Sequence, residues 1–159
     1  MLPTTNHILY ASDLGKGSRP AFHRAVAEAI KHDAQITYLH VMEPMNSTSE
    51  AMVESYLSQD SMASLRQRGV EGVKVKVENR IKAFIDEELD GVELPKGEPL
   101  KQVRTGRPHE VILETAKELN VDMIVMGTRT HSSFGQLLLG STAQKVLHHS
   151  KAPVMVVPL

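Results

Sequence analysis

Residues 127–142 read GTRTHSSFGQLLLGST and follow the apolar run MIVM. Glycines bracket a loop rich in hydroxylic side chains, and Gly140, Ser141 and Thr142 open a stretch of helical character. Such a segment has the chemistry to hold a phosphate. A helix start offers free N–H groups and a partial positive charge, glycine lets the backbone approach an anion, and serine or threonine hydroxyls add donors. A turn glycine at 127 and a serine cap at 141 would read the same way, so periodicity alone leaves both explanations open. Arg129 lies in the loop, where a guanidinium fork suits phosphate oxygens or simply faces solvent.

Two other nucleotide fingerprints fail. GQLLLGST at 135–142 has the glycine spacing of a P-loop, but Ser141 stands where the phosphate-binding lysine belongs and no strand immediately precedes it. DLGKGSRP at 13–20 offers Gly15 and Gly17, yet Pro20 takes the place of the third glycine of a dinucleotide fingerprint. The eight histidines suggest no metal centre, since His148 and His149 are helix neighbours that diverge by about 100°. His131 falls in the loop, within reach of a phosphate or of solvent. No Ser-His-Asp order and no motif-placed carboxylate pair is present. Asp13, at a strand end, reads as a turn former or as a residue that holds Mg²⁺ through water.

The elements that must position these residues alternate along the chain. HILYAS at 7–12 is an apolar run of strand length, and from Pro20 onward Phe22, Ala25, Val26, Ala29 and Ile30 recur at helical spacing. QITYLHV at 35–41 is a second strand, followed by the polar loop MEPMNSTSE. Met62, Leu65, Val73, Val77, Ile81, Phe84, Ile85 and Leu89 then keep a helical rhythm in the longest helix, with a frayed or bent turn expected at Gly69 and Gly72. Lys74, Lys76 and Lys82 fall off that stripe and read as a solvated face. After the linker DGVELPKGEP come a strand at LKQVRT and a helix with Pro108 in its first turn and Val111, Ile112 and Leu119 inward. DMIVM is a fourth strand, 141–149 a last helix, and VMVV at 154–157 a fifth strand.

Strands separated by helices cannot be hairpins, so this βαβαβαβαβ order predicts an α/β fold: an open parallel sheet with right-handed crossovers and helices on both faces. Ligands bind such sheets outside the carboxyl ends of the strands where the strand order reverses, which places a site in the loops after strands one, two and four. A terminal VMVV strand at a sheet edge leaves backbone groups that an identical strand can satisfy around a two-fold axis, so a homodimer through the C-terminal strand is expected.

Bulk properties narrow the function. With 159 residues the chain is expected to form one domain over 1–159, burying roughly two thirds of its unfolded surface. Eighteen basic against nineteen acidic side chains give a formal charge of -1, which argues against nucleic acid or an anionic membrane as partner. The absence of cysteine excludes disulfides, thiolate catalysis and cysteine-ligated zinc. The start MLPTTNHILYASD has no signal-peptide pattern and no apolar run approaches the ~20 residues that span a bilayer, so a soluble, cytoplasmic protein is expected.

HILYASD, ITYLHV, the turn Arg104-Thr105-Gly106-Arg107-Pro108, VDMIVMGTRT and LLLGSTAQKVLHHSKAPVMVV together resemble the universal stress protein family over nearly the whole chain. The family's nucleotide-binding branch is described by Gly, two residues, Gly, nine residues, Gly, then Ser or Thr. Gly127, Gly140 and Ser141 match, while Thr130 stands in place of the second glycine. The resemblance implies a Rossmann-like, adenine nucleotide alpha hydrolase-like sheet ordered 3-2-1-4-5, with adenosine across strands one, two and four. It places Asp13 near adenine or ribose, Val41 main-chain groups on adenine and Met126 in the base pocket, with phosphates on Gly127, Gly140, Ser141 and Thr142. The expected function is that of a dimeric stress-response regulator binding ATP, ADP or AMP, with Mg²⁺ as a further component, and acting through protein partners. The competing expectations are a slow ATP hydrolase or adenylating enzyme, and an interaction module whose phosphate loop has decayed at Thr130.

Overall fold

The computed structural model describes residues 1–15, 18–44, 59–128 and 139–159, the stretch 59–68 and position 70 by backbone alone. Among the described residues five strands, β1 (His7–Ser12), β2 (Gln35–Met42), β3 (Leu100–Thr105), β4 (Met123–Gly127) and β5 (Val154–Val157), alternate with four helices. These are α1 (Arg19–His32), α2 (Gln59–Glu88), α3 (Pro108–Glu118) and α4 (Ser141–His149). Every strand pair is parallel and the order is β3-β2-β1-β4-β5. The open α/β sheet expected from the alternation of elements is therefore the fold observed.

The central strands are apolar almost throughout because helices cover both of their faces. Alternate side chains divide between two cores. Ile8, Tyr10, Ile36, Tyr38 and Val125 join Phe22, Ala25 and Ala29 of α1 and Ile81 and Ile85 of α2. Leu9, Leu39, Ile124 and Met126 point the other way, onto Ile112 and Ala116 of α3 and Ala143 and Val146 of α4. The first core is aromatic: the Tyr10 and Tyr38 rings meet edge-on at 4.9 Å, and Phe22 lies 5.4 Å from Tyr10 and 5.2 Å from Phe84. Phe22 is fully buried, a burial that stabilises by about 1.5–3 kcal/mol.

Local signals place the helix ends. Pro20 sits in the first turn of α1, and Asp33 ends that helix at φ 55°, its N–H donating to the Ala29 carbonyl. At the amino-terminal edge of the sheet, the Asp122 carboxylate accepts the N–H groups of Asn6 and His7 at 2.8 and 2.9 Å, tying β1 to β4. Arg104 of β3 pairs with Glu118 of α3 at 2.7 Å.

Some expectations are corrected. No break occurs at Gly69 or Gly72; α2 runs unbroken for 30 residues, because a helix cost of ~1 kcal/mol per glycine is small against a long hydrogen-bonded ladder packed at its far end. Val73 of α2 and Ile30 of α1 follow the apolar rhythm, yet they are 47% and 49% exposed. The apolar stripe of each helix is thus longer or wider than the surface that covers it. Lys74, Lys76 and Lys82 are solvent-facing as expected, Lys82 pairing with Asp86 at 2.6 Å. β4 is shifted by one residue from the expected DMIVM: it begins at Met123 instead of Asp122 and includes Gly127.

Candidate functional site

A cleft of about 430 Å³ opens at the carboxyl ends of β1, β2 and β4, within the usual size range of small-ligand sites. Its floor is apolar, with Ala11, Leu39, Val41, Met126 and Ile112, and its rim is polar.

The loop after β1 is held by its own side chains. The buried Ser12 hydroxyl accepts the Leu14 N–H at 3.1 Å, and the Asp13 carboxylate accepts the Gly15 N–H at 2.8 Å. A Cβ on Gly15 would stand 2.9 Å from that carboxylate oxygen, so the glycine makes room for the Asp13 turn. Leu14 itself has φ 60°, and Arg80 of α2 donates to its carbonyl at 3.1 Å. Asp13 is therefore a turn former that still presents a second carboxylate oxygen at the rim of the cleft. Among the described residues that second oxygen has no hydrogen-bond donor, which suits a hydrated Mg²⁺ and falls short of a cage of direct ligands.

Beside this loop, His40 Nδ1 bonds the Ser12 carbonyl at 2.8 Å, so the neutral ring carries its proton on Nδ1. That contact runs through the serine's carbonyl, not its hydroxyl, and activates no nucleophile. Beneath the loop, burial raises the pKa of both Tyr10 and Tyr38, and Tyr10 donates its hydroxyl proton to the Ser18 carbonyl at 3.1 Å. The ground under the cleft is thus neutral and fully hydrogen-bonded; among the described residues no buried side-chain polar atom lacks a partner.

Three helices begin at the cleft, because every crossover in a parallel sheet starts its helix at the strands' carboxyl ends. Ser18 before α1, Pro108 of α3 and residues 140–143 at the start of α4 all line it. Among the described residues none of the three has a side-chain cap, and neither α1 nor α4 has an acidic residue in its first turn. Unpaired N–H groups and aligned dipoles favour an anion there, each helix contributing about half a positive charge. Gly140 takes φ 83° and ψ 147° before α4, a conformation that belongs essentially to glycine. Among the described lining residues there is no lysine or arginine; the charged side chains are Asp13 and Glu43.

At the tip of β4, Thr128 donates its N–H to the Val157 carbonyl at 2.9 Å and accepts the Leu159 N–H on its hydroxyl at 3.0 Å. Leu159 folds over Gly127: a Cβ there would lie 2.4 Å from Leu159 Cδ1 and 2.9 Å from Cγ.

Of the residues expected at a site, Asp13, Val41, Met126, Gly127, Gly140, Ser141 and Thr142 line this one cleft. Arg129, Thr130 and His131 lie outside the described residues. Ser12, His40, Glu43 and Leu159 also line it and were not anticipated. Position gave a signal for His40, next to Val41 at a strand end, whereas nothing local in sequence announces Leu159.

The model of the universal stress protein family matches residues 4–158. The chain belongs to the universal stress protein family. A universal stress protein of Thermus aquaticus is 35% identical over 151 residues, which cover 94% of this chain and 96% of that protein. The solved universal stress protein UspA of Lactobacillus plantarum superposes with a TM-score of 0.72 at 20% identity, covering 98% of this chain and 99% of its own. Two further family structures hold ligands: one in complex with cAMP (TM-score 0.57, 20% identity, 98% of each chain) and one from Archaeoglobus fulgidus in complex with dAMP (0.55, 14%, 96% of each). At such identities the likeness is one of fold.

Proposed function

We propose that this universal stress protein binds an adenine nucleotide in the cleft at the ends of β1, β2 and β4 and acts as a dimeric cytoplasmic regulator through protein partners. The observation that carries the reading is the convergence of three uncapped helix N-termini on an apolar-floored cleft of about 430 Å³. Family structures bound to cAMP and dAMP support the adenine part. In this reading Met126 and the Val41 main chain address the base, Asp13 the ribose, and Gly140, Ser141 and Thr142 the phosphate, with Gly127, Arg129 and Thr130 completing its surroundings. ATP, ADP and AMP share this recognition, and Mg²⁺ would reach Asp13 through water. The dimer would form along β5, whose strand partner among the described residues is β4 alone.

An ATP hydrolase or adenylating enzyme would need a base aimed at a water or acceptor; among the described residues His40 is engaged with a carbonyl and Asp13 with a turn. Denaturing the purified protein and chromatographing the supernatant tests the reading. A released adenine nucleotide, or calorimetric binding of added AMP or ATP, is expected. Conversion of added ATP to ADP or AMP would favour the enzyme. No nucleotide bound at millimolar concentration would reduce the protein to an interaction module.

A further inference from the structure

The side chain that fills the space beside Gly127 is apolar and comes from beyond β5. Leu159 Cδ1, Cγ and Cδ2 stand 2.4, 2.9 and 3.3 Å from where a Cβ of Gly127 would be, so one face of that glycine is already covered by leucine. Leu159 also lines the cleft, together with Asp13, Val41 and Gly140. Two hydrogen bonds anchor it: Thr128 donates its N–H to the Val157 carbonyl, and Leu159 donates its N–H to the Thr128 hydroxyl. Its side chain is partly buried against the aromatic core. The glycine that a phosphate loop would leave open to an anion is here packed by a tethered hydrocarbon.

We infer that Leu159 is a specificity-determining residue that closes the Gly127 end of the cleft and limits the phosphate chain of the ligand, so that the cleft takes a nucleoside monophosphate in preference to a triphosphate. The inference rests on the nucleotide reading of the same cleft. A phosphate pressed on leucine methyls loses water and finds no donor there. The helix N-termini supply only partial positive charge, and among the described lining residues no lysine or arginine adds to it while Asp13 and Glu43 oppose it, so the further charges of a triphosphate find no side-chain partner there. Specificity then arises from an obstacle rather than from an added contact.

Calorimetric titration with AMP and with ATP, each on the unaltered protein and on Leu159→Ala, tests this. The expected result is at least tenfold tighter binding of AMP than of ATP by the unaltered protein, and at least fivefold tightening of ATP in Leu159→Ala while AMP stays within twofold. A second measurement needs no truncated variant. In methyl NMR spectra of the unaltered protein, with the Leu159 signals assigned through Leu159→Ile, ATP should shift the Leu159 methyls and AMP should leave them in place. An AMP-to-ATP ratio that is the same in both proteins, or methyl shifts equal for the two ligands, overturns the role of Leu159 while the nucleotide site stands. Binding of neither nucleotide to either protein overturns both.

Discussion

Gly127→Ala probes the contact between β4 and the segment beyond β5 directly. Its new Cβ would sit 2.4 Å from Leu159 Cδ1 and 2.9 Å from Cγ, against ordinary carbon separations of about 3.5–4.0 Å. Because the branch carbon as well as a methyl is too close, turning the end of the side chain does not suffice, and the leucine must swing out or the two strands must part. Overpacking of this kind costs about 1–3 kcal/mol. Gly127 is not among the glycines at positive φ, so alanine fits its backbone and recovers about 0.4–1 kcal/mol by restricting the unfolded chain. The net expectation is a loss of ~0.5–2 kcal/mol, read as a lower urea midpoint by circular dichroism. Leu159→Ala removes the obstructing atoms, so the double variant Gly127→Ala/Leu159→Ala should be no less stable than Leu159→Ala alone. Strict additivity of the two changes in the urea cycle would refute the contact.

Gly140→Ala puts a Cβ on a backbone at φ 83°, ψ 147°; a loss of about 1–3 kcal/mol in urea unfolding is expected, together with loss of nucleotide-induced thermal stabilisation, which intact stabilisation would contradict. His7 is depressed below 6.5, mainly by burial, with its ring against the Thr37 hydroxyl and the Leu119 carbonyl. The folded state thus prefers the neutral ring. That contribution is fully present above pH 6.5 and is lost as the pH falls through the lower folded-state value, so melting temperature should drop less steeply from pH 7.5 to 5 in His7→Gln than in the parent. If β5 is the dimer edge, Val156→Lys should halve the sedimentation mass with the circular dichroism spectrum retained; an unchanged mass would move the interface elsewhere. Thr130→Gly should tighten AMP or ATP binding if threonine strains the phosphate loop, and weaken it if the hydroxyl is a ligand; calorimetry distinguishes these by sign.

The sheet was legible in the sequence because its strands are short apolar runs set off by helix-spaced segments. HILYAS, LKQVRT and VMVV fall on β1, β3 and β5 without a shift, and QITYLHV gains only Met42. Local chemistry also placed the helix starts at Pro20, Pro108 and Ser141, since proline and glycine act on their own backbone. Exposure at Ile30 and Val73 was not legible, because periodicity says which face is apolar but not how far a neighbour covers it. The contact of Leu159 with Gly127 was hidden for a different reason: it joins residues far apart in sequence, and a glycine carries no mark of what fills the space beside it. His40 escaped notice because its partner is a main-chain carbonyl, to which no residue type points.

The two cores differ in a way that bears on mechanics. One side of the sheet is cemented by Tyr10, Phe22, Tyr38 and Phe84, whose rings interlock at 4.9–6.1 Å. Across the sheet, α3 and α4 rest on leucine, isoleucine, valine, alanine and methionine, with no ring among the described buried residues. Large rigid rings leave few alternative arrangements, whereas aliphatic side chains repack at modest cost. The domain therefore has a stiff side and a compliant side, and α4, which bears Ser141 and Thr142, belongs to the compliant one. A ligand that strains the mouth of the cleft is therefore expected to displace α4 more than the helices packed on the aromatic side.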